Sequence, residues 1–220
     1  MSQRPDKNSS LRTRAYEAIK DKIIYLNLKP GDKIFESEIA QELGVSRTPV
    51  REALLLLENE LLVECDPRLG FQVKRLTPTE IEEYFAIRIV FEEFVAPFII
   101  ERITREEIEA LKRNVEEADE SVKGGDLTQI IRRETDFHTI LYQAAKSEMF
   151  FHIISRIVDK FQWLRAIGLS APGGAEISLG DHRAILEVVE ARDTEALKRL
   201  MTEHIRHGKE RFEQMKALFF

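Results

Sequence analysis

The chain is expected to be mainly α-helical, with an N-terminal winged helix-turn-helix domain followed by an all-helical bundle of about six helices. Three observations lead there. The stretch Gly44-Val-Ser-Arg-Thr-Pro-Val-Arg-Glu-Ala-Leu54 reads as a turn entering a helix. Two short apolar runs, Leu61–Cys65 and Phe71–Arg75, flank Asp66-Pro-Arg-Leu-Gly70 and read as a hairpin. After residue 77 the sequence reads as helix after helix, with no convincing strand.

Taken in order, the polar residues 1–10 are expected to form a flexible arm. Leu11, Ala15, Ile19, Ile23 and Leu26 follow at helical spacing, and Lys29-Pro-Gly-Asp32 ends that first helix. Ser37–Leu43 is a short amphipathic helix with Ile39, Ala40 and Leu43 inward, broken by Gly44 in the manner of a helix-turn-helix. Ser46 stands where an N-cap is needed, and Val45 and Val50 have hydrophobic-staple spacing. Pro49 falls in the first turn, where it removes few helix hydrogen bonds.

Arg47 and Arg51 lie four apart and share a face. A helix opening with two guanidiniums and the hydroxyls of Ser46 and Thr48 suits the DNA major groove. Arginine can bond a guanine edge bidentately, and hydroxyls and backbone amides can hold phosphates. Arg68 and Gly70 fall at the tip of the wing. The same pattern also fits an ordinary packed helix pair with solvated arginines.

The domain boundary is expected near residues 75–77, giving 11–76 and 77–220. Thr77-Pro-Thr-Glu80 has capping-box spacing with Pro at the first helical position, and Thr104 with Glu107 repeats the box. Helices are expected over 78–101, 104–123, 126–146, 148–168, 177–191 and 194–217. Asp126 and Asp193 are expected to cap the third and the last. Gly124-Gly125, Ser147 and 170–175 punctuate the series.

Composition narrows the class. The chain is 43% hydrophobic and 33% charged, as soluble globular proteins are. No apolar run approaches membrane-spanning length, and the polar start lacks a signal-peptide core. Single Cys65 excludes an internal disulfide framework and fits a reducing cytoplasm. The net charge of −6 looks wrong for a partner of DNA. Residues 1–77, however, hold 13 Lys/Arg against 12 Asp/Glu, while the remainder holds 20 against 27. The acidic excess lies in the second part, so only the first is expected to meet phosphate.

All five histidines lie after residue 137. Glu134 and His138 are one helical turn apart, so both can point at one ion. His182 falls on the fifth bundle helix and His204 on the sixth. Three imidazoles and a carboxylate converging in a bundle would suit a divalent transition metal. Scattered surface residues are the alternative, and spacing alone leaves both open.

Residues 11–76 closely resemble the winged-helix domain of GntR-type bacterial transcriptional regulators. The resemblance rests on Pro30-Gly31, the run Glu38–Leu54, and Leu61-Leu-Val63 leading into the wing. Two positions depart from the family: Glu60-Leu61, where Gly is usual, and Leu69-Gly70, where a Gly-Gly pair is common. Residues 78–215 are similar to the helical FCD ligand-binding domain of the FadR branch. In its metal-binding members an Asp-x-x-Phe-His motif and two later histidines hold the ion. The matching residues here are Glu134-Thr-Asp-Phe-His138, Asp181-His182 and His204, with Glu in place of Asp. Asp136 lies on a different helical face, and His152 and His207 match nothing. The helix count suggests the six-helix form of the domain. Arg88 and Glu92 match the family's Arg and Glu on the first helix of the domain, so Arg88 meets a ligand carboxylate or pairs with Glu92 at i,i+4. Arg132, Arg133 and Arg165 are further candidates; Phe161 and Trp163 are expected to pack the core.

The resemblance implies a cytoplasmic, homodimeric regulator that binds double-stranded operator DNA and senses a small carboxylate effector, with zinc, nickel or manganese as cofactor. It implies no enzyme and no membrane. A ligand-independent architectural DNA-binding protein and a metalloenzyme with a DNA-binding head remain the alternatives.

Overall fold

In the computed structural model, residues 7–68, 70–160 and 162–215 are described. The chain divides into two compact units that meet between Arg75 and Leu76. The first contains α1 (Lys7–Ile24), β1 (Lys33–Ile34), α2 (Glu36–Leu43), α3 (Arg47–Asn59), β2 (Val63–Asp66) and β3 (Gly70–Val73). Helix α1 starts at Lys7, so residues 7–10 of the expected arm are helical, while 1–6 lie outside the described residues. Asn8-Ser9-Ser10 carry no apolar periodicity, which is why the pattern places the start at Leu11. The helix also ends earlier than expected, because Leu26 adopts φ +60 beyond its last turn.

Ala15, Ile19 and Ile23 form the buried stripe of α1, and they share a core with Val50, Leu54 and Leu57 of α3. Gly44 takes φ +66 between α2 and α3, a left-handed conformation that costs a residue with a Cβ. The hairpin pairs β2 with β3 antiparallel, Val63 opposite Val73 and Asp66 opposite Gly70. β1 adds a third strand on the other side of β3. Its two residues, Lys33 and Ile34, are too few to produce a readable alternation.

The described residues of the second unit form helices joined by short loops, with no strand among them: α4 (Pro78–Arg102), α5 (Arg105–Gly124), α6 (Leu127–Ala144), α7 (Glu148–Lys160), α8 (Gln162–Ser170), α9 (Gly174–Glu190) and α10 (Thr194–Met215). The expected fourth helix, 148–168, corresponds to α7 and α8, and Phe161 between them lies outside the described residues. Both capping boxes form: Thr77 Oγ1 accepts from Glu80 N and Glu80 from Thr77 N, and Thr104 and Glu107 repeat the exchange. Asp126 and Asp193 accept from Gln129 N and Ala196 N, capping α6 and α10. Val95, Ile99, Leu111, Phe137, Leu141 and Ile185 fill the core between α4, α5, α6 and α9.

Candidate functional site

Helix α6 buries one long face, Ile130, Ile131, Glu134, Phe137, His138 and Leu141. The two polar members of that stripe are one turn apart and enter the bundle interior together. Helix α9 brings His182 to the same point, held by a face-to-face stack on Phe137 with centroids 3.8 Å apart and planes 9° apart. Helix α10 adds His204 from between buried Met201 and Ile205. The ligand atoms of Glu134, His138, His182 and His204 all lie within 4.8 Å of one another, and all four residues are buried. Individual separations are short: His138 Nε2 to His204 Nε2 3.1 Å, and Glu134 Oε1 to His138 Nε2 3.3 Å and to His204 Nε2 3.2 Å. His182 Nε2 is 3.5 Å from Glu134 Oε2. The expected four residues therefore converge, and the extra methylene of Glu134 does not keep its carboxylate out of the cluster.

Further polar groups orient these side chains. Ser178 Oγ donates to Glu134 Oε2 at 2.5 Å. Asp181 Oδ2 lies 3.2 Å from His204 Nδ1, which leaves Nε2 of that ring facing the centre. His207 Nδ1 also lies 3.0 Å from Asp181, so this half-buried histidine is tied to the centre through a shared carboxylate. Spacing gives no sign of that link, because His207 itself does not reach the cluster. His152 is exposed, and Asp136 sits beside Arg133 rather than in the centre.

Burial decides most of the protonation. It pushes His138 well below its ordinary range and His182 down to about 3, so both rings are neutral near neutral pH. For His204 burial is outweighed by hydrogen bonds to Asp181 and Glu134, and its titration is raised. Burial likewise opposes ionisation of Glu134, but the surrounding imidazoles outweigh it and hold the carboxyl well below its usual range. One carboxylate and three imidazoles, with Nδ1 of His204 turned to Asp181 and its Nε2 to the cluster, form a donor set a divalent ion fits. His182 Nε2 is buried with no hydrogen-bond partner, so its lone pair is open to a further donor or ion.

A small cavity of about 30 Å³ adjoins the centre. Glu134 and His204 line it on one side, with Arg88, Arg165 and Arg211 also in its wall. Arg88 pairs with Glu92, donating from Nη2 to Oε1 at 2.9 Å, and also lines the cavity. Tyr142 Oη donates to the same oxygen of Glu92 and accepts from Arg88 Nη2 at 3.3 Å. Arg132 is exposed and Arg133 pairs with Glu117 at 2.7 Å, so neither joins the cavity. Trp163 is buried in the core as expected.

In the first unit, Ser46, Arg47, Thr48 and Arg51 are exposed at the start of α3. Ser46 has the extended backbone of an N-cap but makes no capping bond, contrary to expectation. Pro49 occupies the third helical position and has no N–H for the serine oxygen to accept. The hydroxyl is thereby left exposed beside Arg47. Arg51 is braced by Glu36 at 3.3 Å and lies 5.9 Å from the Phe71 ring centroid, while most of its side chain stays exposed. At the wing, Asp66 Oδ1 accepts from Arg68 N at 2.7 Å, the Arg68 side chain is exposed, and Gly70 has φ +81. Leu69 lies outside the described residues.

Comparison with known proteins identifies the assembly of parts. Residues 11–73 match the model of the bacterial regulatory proteins, gntR family, and residues 83–207 match the FCD domain. The HTH-type transcriptional regulator YdhC of Bacillus subtilis (strain 168) is 31% identical over 203 residues, covering 92% of this chain and 91% of its own. The chain belongs to the GntR family. It is a helix-turn-helix transcriptional regulator with an FCD domain, and its relatives are regulators rather than enzymes. The HTH-type transcriptional repressor RspR of Escherichia coli (strain K12) is 26% identical, over 91% of this chain and 88% of its own. Among solved structures, E. coli McbR/YncC superposes with a TM-score of 0.82 at 22% identity, over 94% of this chain and 98% of that one, which shows the same fold. No helix among the described residues is long and apolar enough to cross a membrane.

Proposed function

We propose that this GntR-family regulator, of the FadR branch, senses a small carboxylate metabolite in the bundle of residues 77–220. In this reading Glu134, His138, His182 and His204 hold a divalent ion such as zinc, nickel or manganese. The observation that carries it is the convergence of four buried donors beside a cavity walled by arginines. Bound there, the ion would supply a Lewis-acidic anchor for an acidic ligand. The chain's own residues do the rest: Asp181 turns His204 inward, Ser178 fixes Glu134, and the Phe137 stack fixes the His182 ring. Arg88, already balanced by Glu92, offers its remaining donors to the cavity.

Residues 11–76 bind operator DNA through Ser46, Arg47, Thr48 and Arg51 in the major groove, with Arg68 and Gly70 at the wing. A single winged helix reads few base pairs, so the regulator works as a two-fold homodimer on a palindromic site in the cytoplasm. The effector changes operator affinity only by binding DNA-competent and DNA-incompetent states unequally. A ligand-independent architectural role is weakened by the buried, self-consistent donor set, which a purely structural bundle does not need.

The DNA assignment is tested on an operator selected by the protein itself from a random-sequence duplex pool. Arg47→Ala and Arg51→Ala should each weaken binding by about 1–3 kcal/mol at fixed salt, with unchanged melting temperature. Wild-type affinity in both variants would remove α3 from the interface.

A further inference from the structure

Arg165, on α8, has its Nε, Nη1 and Nη2 all buried without a hydrogen-bond partner. A guanidinium carries five N–H donors and a permanent charge, and burying it with nothing to bond is unfavourable. Most other charged groups around the cavity have answers. Arg88 pairs with Glu92, Glu134 sits among three imidazoles, and Asp181 bonds His204 and His207. Arg211, in the same wall, also leaves its Nε buried and unpartnered. Arg165 lines the same cavity as Glu134 and His204 of the His/Glu centre.

The charge balance says what is missing. Glu92, Glu134 and Asp181 match Arg88, Arg165 and Arg211 in number. A divalent ion among the four donors then leaves an excess of two positive charges in a buried site. One acidic group facing the centre removes half of that excess and leaves Arg165 unanswered. We infer that the site takes a compact dianion with two acidic groups, such as a short dicarboxylate. One group faces the Glu134/His cluster, and the other is held by Arg165 with Arg211 beside it. The inference rests on the reading of the His/Glu cluster as the sensor site, and it adds the ligand's charge and the residue that selects it. The space of about 30 Å³ accepts water but no larger molecule in this arrangement. Arg165, which no hydrogen bond holds, is the part of the wall free to give way.

The test uses full-length, metal-loaded protein and matched acid pairs: succinate against butyrate, and malonate against propionate. Calorimetric titration should show at least one diacid binding about tenfold or more tightly than its monoacid partner, as charge-assisted bonds to a guanidinium provide. Arg165→Gln should erase most of that preference while leaving metal content unchanged. The same variant should melt no lower than wild type without ligand, because it removes an unpaired buried charge. Equal affinity within both pairs, no binding of either diacid, or a preference that survives Arg165→Gln would each overturn the inference. Metal content measured on the same samples separates the two claims. Wild-type protein that takes up no metal overturns the sensor-site reading itself, whereas metal uptake without diacid preference overturns only the dianion.

Discussion

At the residue scale, the centre is governed by what burial does to imidazoles. His182 is held down to about 3 when folded, while an unfolded histidine titrates near ~6.5. A folded value below the unfolded one gives stability that is complete above pH ~6.5 and lost as pH falls towards 3. For the metal-free protein the loss from this one group is about 2 kcal/mol between pH 6.5 and 5. His182→Phe keeps the apolar stack on Phe137 and removes the titration. Its melting temperature in chelator-treated samples should therefore fall less steeply over that pH range. His138, also held low by burial, remains in the variant, so the slope should shrink rather than vanish. An unchanged slope would mean that His182 is not buried neutral. Leu61 teaches a different lesson at this scale. It adopts φ +59, a left-handed conformation that costs about 1–2 kcal/mol for a residue with a Cβ. A glycine would adopt that conformation without the cost, and Leu61 carries it in this chain.

At the element scale, α4 works on both sides. Its inner face carries Arg88, Glu92, Val95 and Ile99, which join the cavity wall to the core. Its outer face exposes Ile87, Val90 and Phe94 at i, i+3 and i+7, with Val90 65% and Phe94 59% exposed. Phe94 stacks on Phe150 at 6.0 Å and so joins this stripe to α7, where Met149 and Ile153 are also exposed. A contiguous apolar strip on two packed helices is a candidate surface for a second copy. Val90→Glu combined with Phe94→Glu should convert the dimer to monomer in sedimentation velocity, with helical content retained. A double variant that stays dimeric would move the interface elsewhere. Helix ends divide into legible and illegible kinds. The Thr77–Glu80 and Thr104–Glu107 boxes are local patterns and could be read directly. The C-terminal carbonyls of α4 are instead capped by Arg192, which donates to Ile100 O at 2.6 Å and Ile103 O at 2.9 Å. Nothing in the local sequence marks a partner some ninety positions away.

At the scale of the whole molecule, the long motif from Glu38 to Leu54 made the first unit readable, because each turn and cap depends on neighbours in sequence. The Glu134/His138 pair was readable for the same reason, being one helical turn apart. His182 and His204 could be put forward as histidines on later helices, but choosing convergence over scatter needed the family resemblance, since residues on three helices share no spacing rule. Arg165 could only be grouped with Arg132 and Arg133 as a candidate, and Arg211 did not stand out at all, because a buried, unpartnered guanidinium is a property of packing and has no signature in the chain. The claim on which sensing depends is that the four donors hold an ion in the working dimer. Native mass spectrometry of full-length protein purified without added metal tests it most directly. The wild type should appear as a dimer carrying one divalent ion per subunit, and His182→Ala and His204→Ala should form dimers depleted of it. A wild-type dimer with no metal, or equal metal in all three proteins, would contradict the account.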